Sequence, residues 1–233
     1  MPEIPANGYL MHYKKILFLI TCCLQLFLFS GCLEIIEDVT THTDGSGIFA
    51  LTLNMSQSRT KINSILLLDS LNGHKVPGRL EIAAYLDKVE KTLKASRGIS
   101  GVRVLRNMDN FIFTVKFNFD RGENMNQALE AVNRAVQPKG RTDLGMVYLY
   151  NGTVFQRTES YLKSNLTKNI NHKELLAFNN AKYTGIYRFD QAVKSVSNSI
   201  ASISPSRKAV MLQTNIPSIV KGTTSLANTI EFK

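Results

Sequence analysis

Hydrophobic and polar positions alternate with a period that changes along the chain, and the changes mark its elements. Leu33-Glu34-Ile35-Ile36-Glu37-Asp38-Val39-Thr40 has the look of a strand. Asp44-Gly45-Ser46-Gly47 then forms a turn whose glycines can take positive φ, and Ile48 to Met55 returns as a second strand. Phe49, Leu51, Leu53 and Met55 give that strand one richly apolar face. The period then lengthens. A helix is predicted from about Gln57 to Leu71, with Ile62, Ile65, Leu66 and Leu68 on its apolar side. After the Pro77-Gly78 break a second helix is predicted from Leu80 to about Ser96, with Ile82, Leu86, Val89 and Leu93 on one face. Lys88, Lys91 and Lys94 lie toward its other side with Asp87 and Glu90 among them, which is the pattern of a solvated outer face.

The sharpest alternation comes next. Gly101 to Arg106 leads through Asn107-Met108-Asp109-Asn110 into Phe111, Phe113, Val115, Phe117 and Phe119, which alternate with Ile112, Thr114, Lys116 and Asn118. This is a hairpin with a buried aromatic row. Asp120 and Glu123 have the spacing of a capping box and introduce a helix carrying Ala128, Leu129, Val132, Ala135 and Val136. A third hairpin spans Leu144 to Tyr150, the Asn151-Gly152 turn and Thr153 to Ser160, and a helix is expected from about His172 to Lys182. Strands are expected at Gly185 to Phe189, Ala192 to Val196, Lys208 to Asn215 and Ser225 to Phe232. Hairpin connections imply antiparallel pairing. The predicted fold is α+β: a largely antiparallel, curved sheet built from hairpins, with helices packed on one face.

Upstream of all this lies an apolar run, Ile16 to Phe29, preceded by Lys14 and Lys15 and followed by Ser30, Gly31 and Cys32. It has the form of a secretory signal peptide, too short to span a bilayer in comfort, and Met11 offers a second start with a conventional positive leader. The domain expectation is a leader over 1–31 and a single domain over 32–233. Leu28-Phe29-Ser30-Gly31-Cys32 resembles the lipobox of bacterial lipoproteins. The resemblance implies that the Cys32 thiol carries a diacylglycerol, that the leader is cut before it, and that the new amino terminus is acylated. It also implies a place in the cell envelope, on the outer membrane facing the periplasm, because Leu33 is not the aspartate that retains enterobacterial lipoproteins at the inner membrane. Glu37-Asp38-Val39-Thr40 through Asp44-Gly45-Ser46-Gly47 is similar to the start of small lipoproteins of the LppM type, which implies an exported lipid-binding domain.

Charge and cysteine change the picture further. The chain carries 28 basic and 18 acidic residues; without Lys14, Lys15 and Glu3 the mature part keeps a net charge of +9. For an exported basic domain the expected partners are anionic lipid, glycan or acidic envelope proteins and not nucleic acid, and the plainer reading is a solvated basic surface with no specific partner. Cys22 and Cys23 fall in the leader, leaving Cys32 as the one mature cysteine, so an internal disulfide, a cysteine metal cluster and a cysteine nucleophile are all excluded.

Little else carries chemistry. His42, His74 and His172 do not share a metal-binding spacing, and neither G-x-S-x-G, a P-loop nor an EF-hand loop occurs, so no catalytic, cofactor or metal residue is assigned. His42 with Asp44, or Asp69 with His74, could serve a hydrolase only from within a cleft; the plainer reading is polar strand ends and turns. Arg97, Arg103, Arg106, Lys139 and Arg141 sit at the ends of the second hairpin and its neighbours, where they could converge as an anion-binding edge or remain a scattered solvated set. The leading expectation is a non-enzymatic, lipid-anchored binding or assembly factor. The alternative is a carrier or sensor of an apolar ligand, which needs a cavity between the Phe111 to Phe119 face and the helix of Leu80 to Ser96.

Overall fold

The computed structural model describes residues 33–71, 73–137, 143–159 and 179–233. Cys32–Lys233 forms one compact unit. Its backbone is a seven-stranded sheet in the order β11-β12-β9-β1-β2-β6-β5. The strands are β1 (Glu34–Thr41), β2 (Gly47–Asn54), β5 (Ile99–Asn107), β6 (Ile112–Phe119), β9 (Lys182–Phe189), β11 (Ala201–Ile203) and β12 (Ala209–Asn215). A second sheet runs β10-β13-β8-β7, from Val193–Val196, Asn228–Phe232, Val154–Arg157 and Tyr148–Tyr150. Ser70–Leu71 (β3) and His74–Lys75 (β4) make a separate small hairpin. The α-helices among the described residues are α1 (Arg59–Ile65), α2 (Arg79–Lys94), α3 (Gly122–Val136) and α4 (Ile216–Val220). The fold is α+β, as the alternation predicts.

The hairpins are where the period placed them. β1 pairs antiparallel with β2 from Glu34 opposite Asn54 to Thr41 opposite Gly47, and β2 continues antiparallel onto β6. Of the turn glycines, Gly45 takes φ +83°, whereas Gly47 is required for space: a Cβ there would lie 2.0 Å from the Thr40 carbonyl oxygen. Phe117 and Phe119 are buried with Phe49, Leu93, Met125 and Ala128, and Phe113 is buried on the same side of β6. α2 and α3 pack against each other and cover the β5–β6 side of this face. The second sheet covers the other side, where the Phe155 ring meets Tyr187 and Phe189 at 5.6 and 5.2 Å.

Several expectations need correction. The β1–β9 pair is parallel, Glu34 opposite Lys182 through Thr41 opposite Phe189. The helix expected over 57–71 stops at Ile65 and gives way to the β3–β4 hairpin. No residue of that helix is buried, so nothing extends it by packing, which is where most helical stability comes from. The capping box from Asp120 and Glu123 does not form. α3 starts at Gly122 behind Arg121, which has no side-chain cap, and the Asp120 N–H donates to the Gly98 carbonyl. Most of the helix expected over 172–182 lies outside the described residues, and its last position, Lys182, opens β9.

Candidate functional site

Three regions hold polar chemistry or unusual surface, and the most tightly built of them is sealed. Ile35, Glu37, Val39 and Thr41 share the inward phase of β1, so Glu37 enters the space between the two sheets. Arg157 arrives from β8, in phase with Phe155. Its Nε donates to Glu37 Oε1 at 3.1 Å, its Nη2 to Oε2 at 3.4 Å, and its Nη1 to the Thr158 carbonyl at 2.9 Å. The Tyr187 hydroxyl donates to Glu37 Oε1 at 2.9 Å, and the guanidinium stands 5.6 Å from the Tyr183 ring. Glu37 and Arg157 are each 2% exposed. Burial alone would raise the Glu37 carboxyl, but the charge and hydrogen bonds of Arg157, with those of Tyr148 and Tyr187, hold it below its ordinary value. The same burial, with the Glu37 charge beside it, pushes the Tyr187 hydroxyl well up.

Gly185 makes room for this cluster. It stands opposite Glu37 in the parallel ladder, between Tyr183 and Tyr187 on the same face of β9. A Cβ at Gly185 would come within 2.7 Å of the Tyr187 hydroxyl and 3.3 Å of the Tyr183 hydroxyl. Gly185→Ala is therefore expected to displace the Tyr187 donor and to cost roughly 1–3 kcal/mol in urea unfolding, whereas an unchanged midpoint would show that the tyrosines have slack. No member of the cluster reaches the surface, so its chemistry is the joining of the two sheets.

The second region is the β1–β2 turn. His42 does not pair with Asp44. Its Nδ1 lies 3.0 Å from Asp190 Oδ2, with both side chains about half exposed, and no other hydrogen bond to the ring occurs among the described residues. Asp44 instead closes its own turn, accepting from the Ser46 N–H at 2.9 Å and the Ser46 hydroxyl at 2.7 Å. These two bonds hold its carboxyl below the usual range. A shallow cleft of about 360 Å³ lies here, bordered by Asp44, Arg121, Glu123 and Tyr150. His74 is in β4 and exposed, and His172 lies outside the described residues.

The structure divides the expected anion-binding set. Arg97 is exposed in the turn before β5. Arg103 stands opposite Lys116 on the open face of the sheet. Arg106 stands opposite Phe113 on the helix-covered face, where it bonds Asp87 and, at 2.8 Å, Glu90 of α2. Arg103 and Arg106 are thus on opposite faces and do not meet. Lys139, Arg141 and Cys32 lie outside the described residues. The space proposed for an apolar ligand is filled: Phe113, Phe117 and Phe119 are no more than 7% exposed, and Leu93 of α2 packs at 1%. No cluster of metal-ligating side chains occurs among the described residues, and no helix there is long and apolar enough to cross a membrane.

The third region is the excursion between β2 and α2. It is tied to the β5–β6 turn by the Met55 N–H donating to the Phe111 carbonyl at 3.0 Å and by Arg79. Arg79 Nη1 donates to the Met108 carbonyl at 3.0 Å, Nη2 to Asn63 Oδ1 at 2.9 Å, and the guanidinium lies 5.1 Å from the centre of the Phe111 ring. Between Arg59, Asn63, Leu66, Leu67, Arg79 and Asp109 runs an open groove of about 690 Å³. The sequence pattern hid this region. Leu66 and Leu68 read with Ile62 and Ile65 as one side of a helix that in fact ends at Ile65.

No family model matches the chain, and no curated protein matches it. Among solved structures, the chain is similar to the NMR structure of the folded domain of the Mycobacterium tuberculosis LppM protein. The match has 11% identity over 88% of this chain and 92% of that one, with a TM-score of 0.43.

Proposed function

We propose that this chain is a lipid-anchored protein of the bacterial envelope with a non-enzymatic binding or assembly role, held at the periplasmic face of the outer membrane by lipid on Cys32. One observation carries the reading: the residue after that cysteine is already held in the fold. The Lys182 N–H donates to the Leu33 carbonyl at 2.8 Å, and Leu33 packs beside Ala181, Leu212, Ile216 and Ile219. A body joined to its anchor with no spacer stays against the bilayer, where it works on lipid or on other envelope proteins. The filled core behind Phe113 to Phe119 favours this over carriage of an apolar ligand. Two or three acyl chains are what hold such a body, since a single myristoyl chain binds with K of only about 10⁴ M⁻¹. Cys32→Ser is expected to abolish incorporation of radiolabelled palmitate and to leave unprocessed or soluble protein. Label retained in the variant would overturn the assignment.

A further inference from the structure

Nine large apolar side chains are exposed among the described residues, and four of them, Leu67, Leu68, Leu71 and Leu80, lie between positions 67 and 80. Leu67 and Leu80 are 86% and 88% exposed. Single exposed leucines are ordinary; four carried by one excursion of the chain are a local concentration. The excursion is also not a loose loop, because Arg79, Met55 and Asn63 fix it to the β5–β6 turn.

The register of the sheet places this group. Glu34 pairs with Asn54, and Asn54 with Ile112, so β1 begins at the end of the sheet where β2 stops and the excursion departs. One strand spacing, about 5 Å, separates the start of β1 from that departure. Leu80, in the first turn of α2, and Arg79, bonded to the β5–β6 turn, belong to the same end. The excursion that carries the leucines is therefore rooted at the end of the molecule where β1 begins. Cations accompany them: residues 56–81 hold Arg59, Lys61, Lys75 and Arg79 against Asp69 and Glu81, with Lys75 and Glu81 paired at 3.2 Å.

We propose that Leu67, Leu68, Leu71 and Leu80 enter the interfacial layer of an anionic bilayer, so that the protein docks on the membrane by this end and holds one orientation. Apolar side chains at the headgroup boundary with basic residues around them are the ordinary means of peripheral attachment. An anchor at the same end of the molecule raises the local concentration of bilayer, so that even a weak insertion is occupied. The inference rests on the envelope reading for its membrane, but the test below does not use the anchor.

Cys32–Lys233 is a compact unit by itself and holds both apolar clusters, so the segment 33–233 is the one to test. It also contains no cysteine, since Cys22, Cys23 and Cys32 are the only three in the chain. Leu67→Cys then gives a single thiol for an environment-sensitive fluorophore, and Thr43→Cys, exposed at the opposite end of the sheet, gives the control. With vesicles of phosphatidylglycerol and phosphatidylethanolamine, the label at position 67 is expected to brighten and shift to the blue while that at position 43 stays unchanged. Leu80→Asp in the same background is expected to weaken vesicle affinity roughly tenfold, without unfolding a protein in which that side chain is almost fully exposed. An unchanged spectrum at position 67, or an equal response at position 43, would overturn the proposal. A shift that appears without vesicles and grows with protein concentration would overturn it in favour of a second copy of the chain. Palmitate labelling reports on Cys32 alone, so either result can fail while the other stands.

Discussion

Replacing Arg157 with methionine is expected to lower the unfolding free energy by about 3–5 kcal/mol. The change leaves the Glu37 carboxylate buried at 2% exposure without the guanidinium that faces it at 3.1 and 3.4 Å. The loss reflects a stranded charge more than the net strength of the pair. A double variant, Glu37→Leu with Arg157→Met, is accordingly expected to recover most of it. Urea titration of the three variants decides the matter, and a cost under about 1 kcal/mol for Arg157→Met would show that water reaches Glu37.

Acid provides a second readout. The Glu37 carboxyl titrates below its ordinary 4.5 in the folded chain, so the unfolded state takes up its proton first as pH falls. The stability this group supplies is complete above about pH 4.5 and is lost as pH drops through the lower folded value. Glu37→Gln removes that part of the acid dependence, and the same slope in both proteins would assign it to other carboxylates.

The next largest effect is expected at Asn126. This buried side chain on α3 joins the helix to the edge of the second sheet. Its Oδ1 accepts from the Val147 and Tyr148 N–H groups, both at 3.0 Å, and its Nδ2 donates to the Tyr148 carbonyl at 2.7 Å. β7 is an edge strand of that sheet, so on the helix side Asn126 acts as a missing neighbour. Asn126→Ala orphans these buried backbone groups and is expected to cost roughly 2–4 kcal/mol. Exchange of the Val147 and Tyr148 amides should quicken well beyond that of the β1 amides. Amides that remain equally protected in the variant would mean that another contact holds β7 in place.

The hairpins were legible because their information is local. Phe113, Phe117 and Phe119 alternate with polar positions, and Asn151 marks its turn, accepting at Oδ1 from the Thr153 and Val154 N–H groups. The parallel pairing of β1 with β9 has no such signature, since nothing near Glu34 refers to Lys182. Glu37 and Arg157 could have been singled out: each occupies the inward phase of an amphipathic strand, where a charge demands a partner. What sequence could not supply was that the two phases face each other. Arg103 and Arg106 stay apart for a related reason. Three positions along β5 are enough to turn Arg103 and Arg106 to opposite faces. The leucine excursion was misjudged because apolar spacing shows which residues can share a side but not whether anything covers it.

The wiring of β1 also governs when the molecule can finish folding. Residues 34–136 contain β1, β2, β5, β6, α2 and α3, enough to pair four strands and lay two helices on them. Such a half-built body carries Glu37 on its open flank with neither Arg157 nor Tyr187 yet in position. A carboxylate there resists dehydration, which keeps the flank wet and unclosed until the chain beyond position 187 arrives. β1 is thus enclosed between β2 and β9 only when a much later strand arrives, a long-range pairing of the kind that slows folding. The buried ion pair closes only once β8 has brought Arg157 over β1, so it joins the two sheets late.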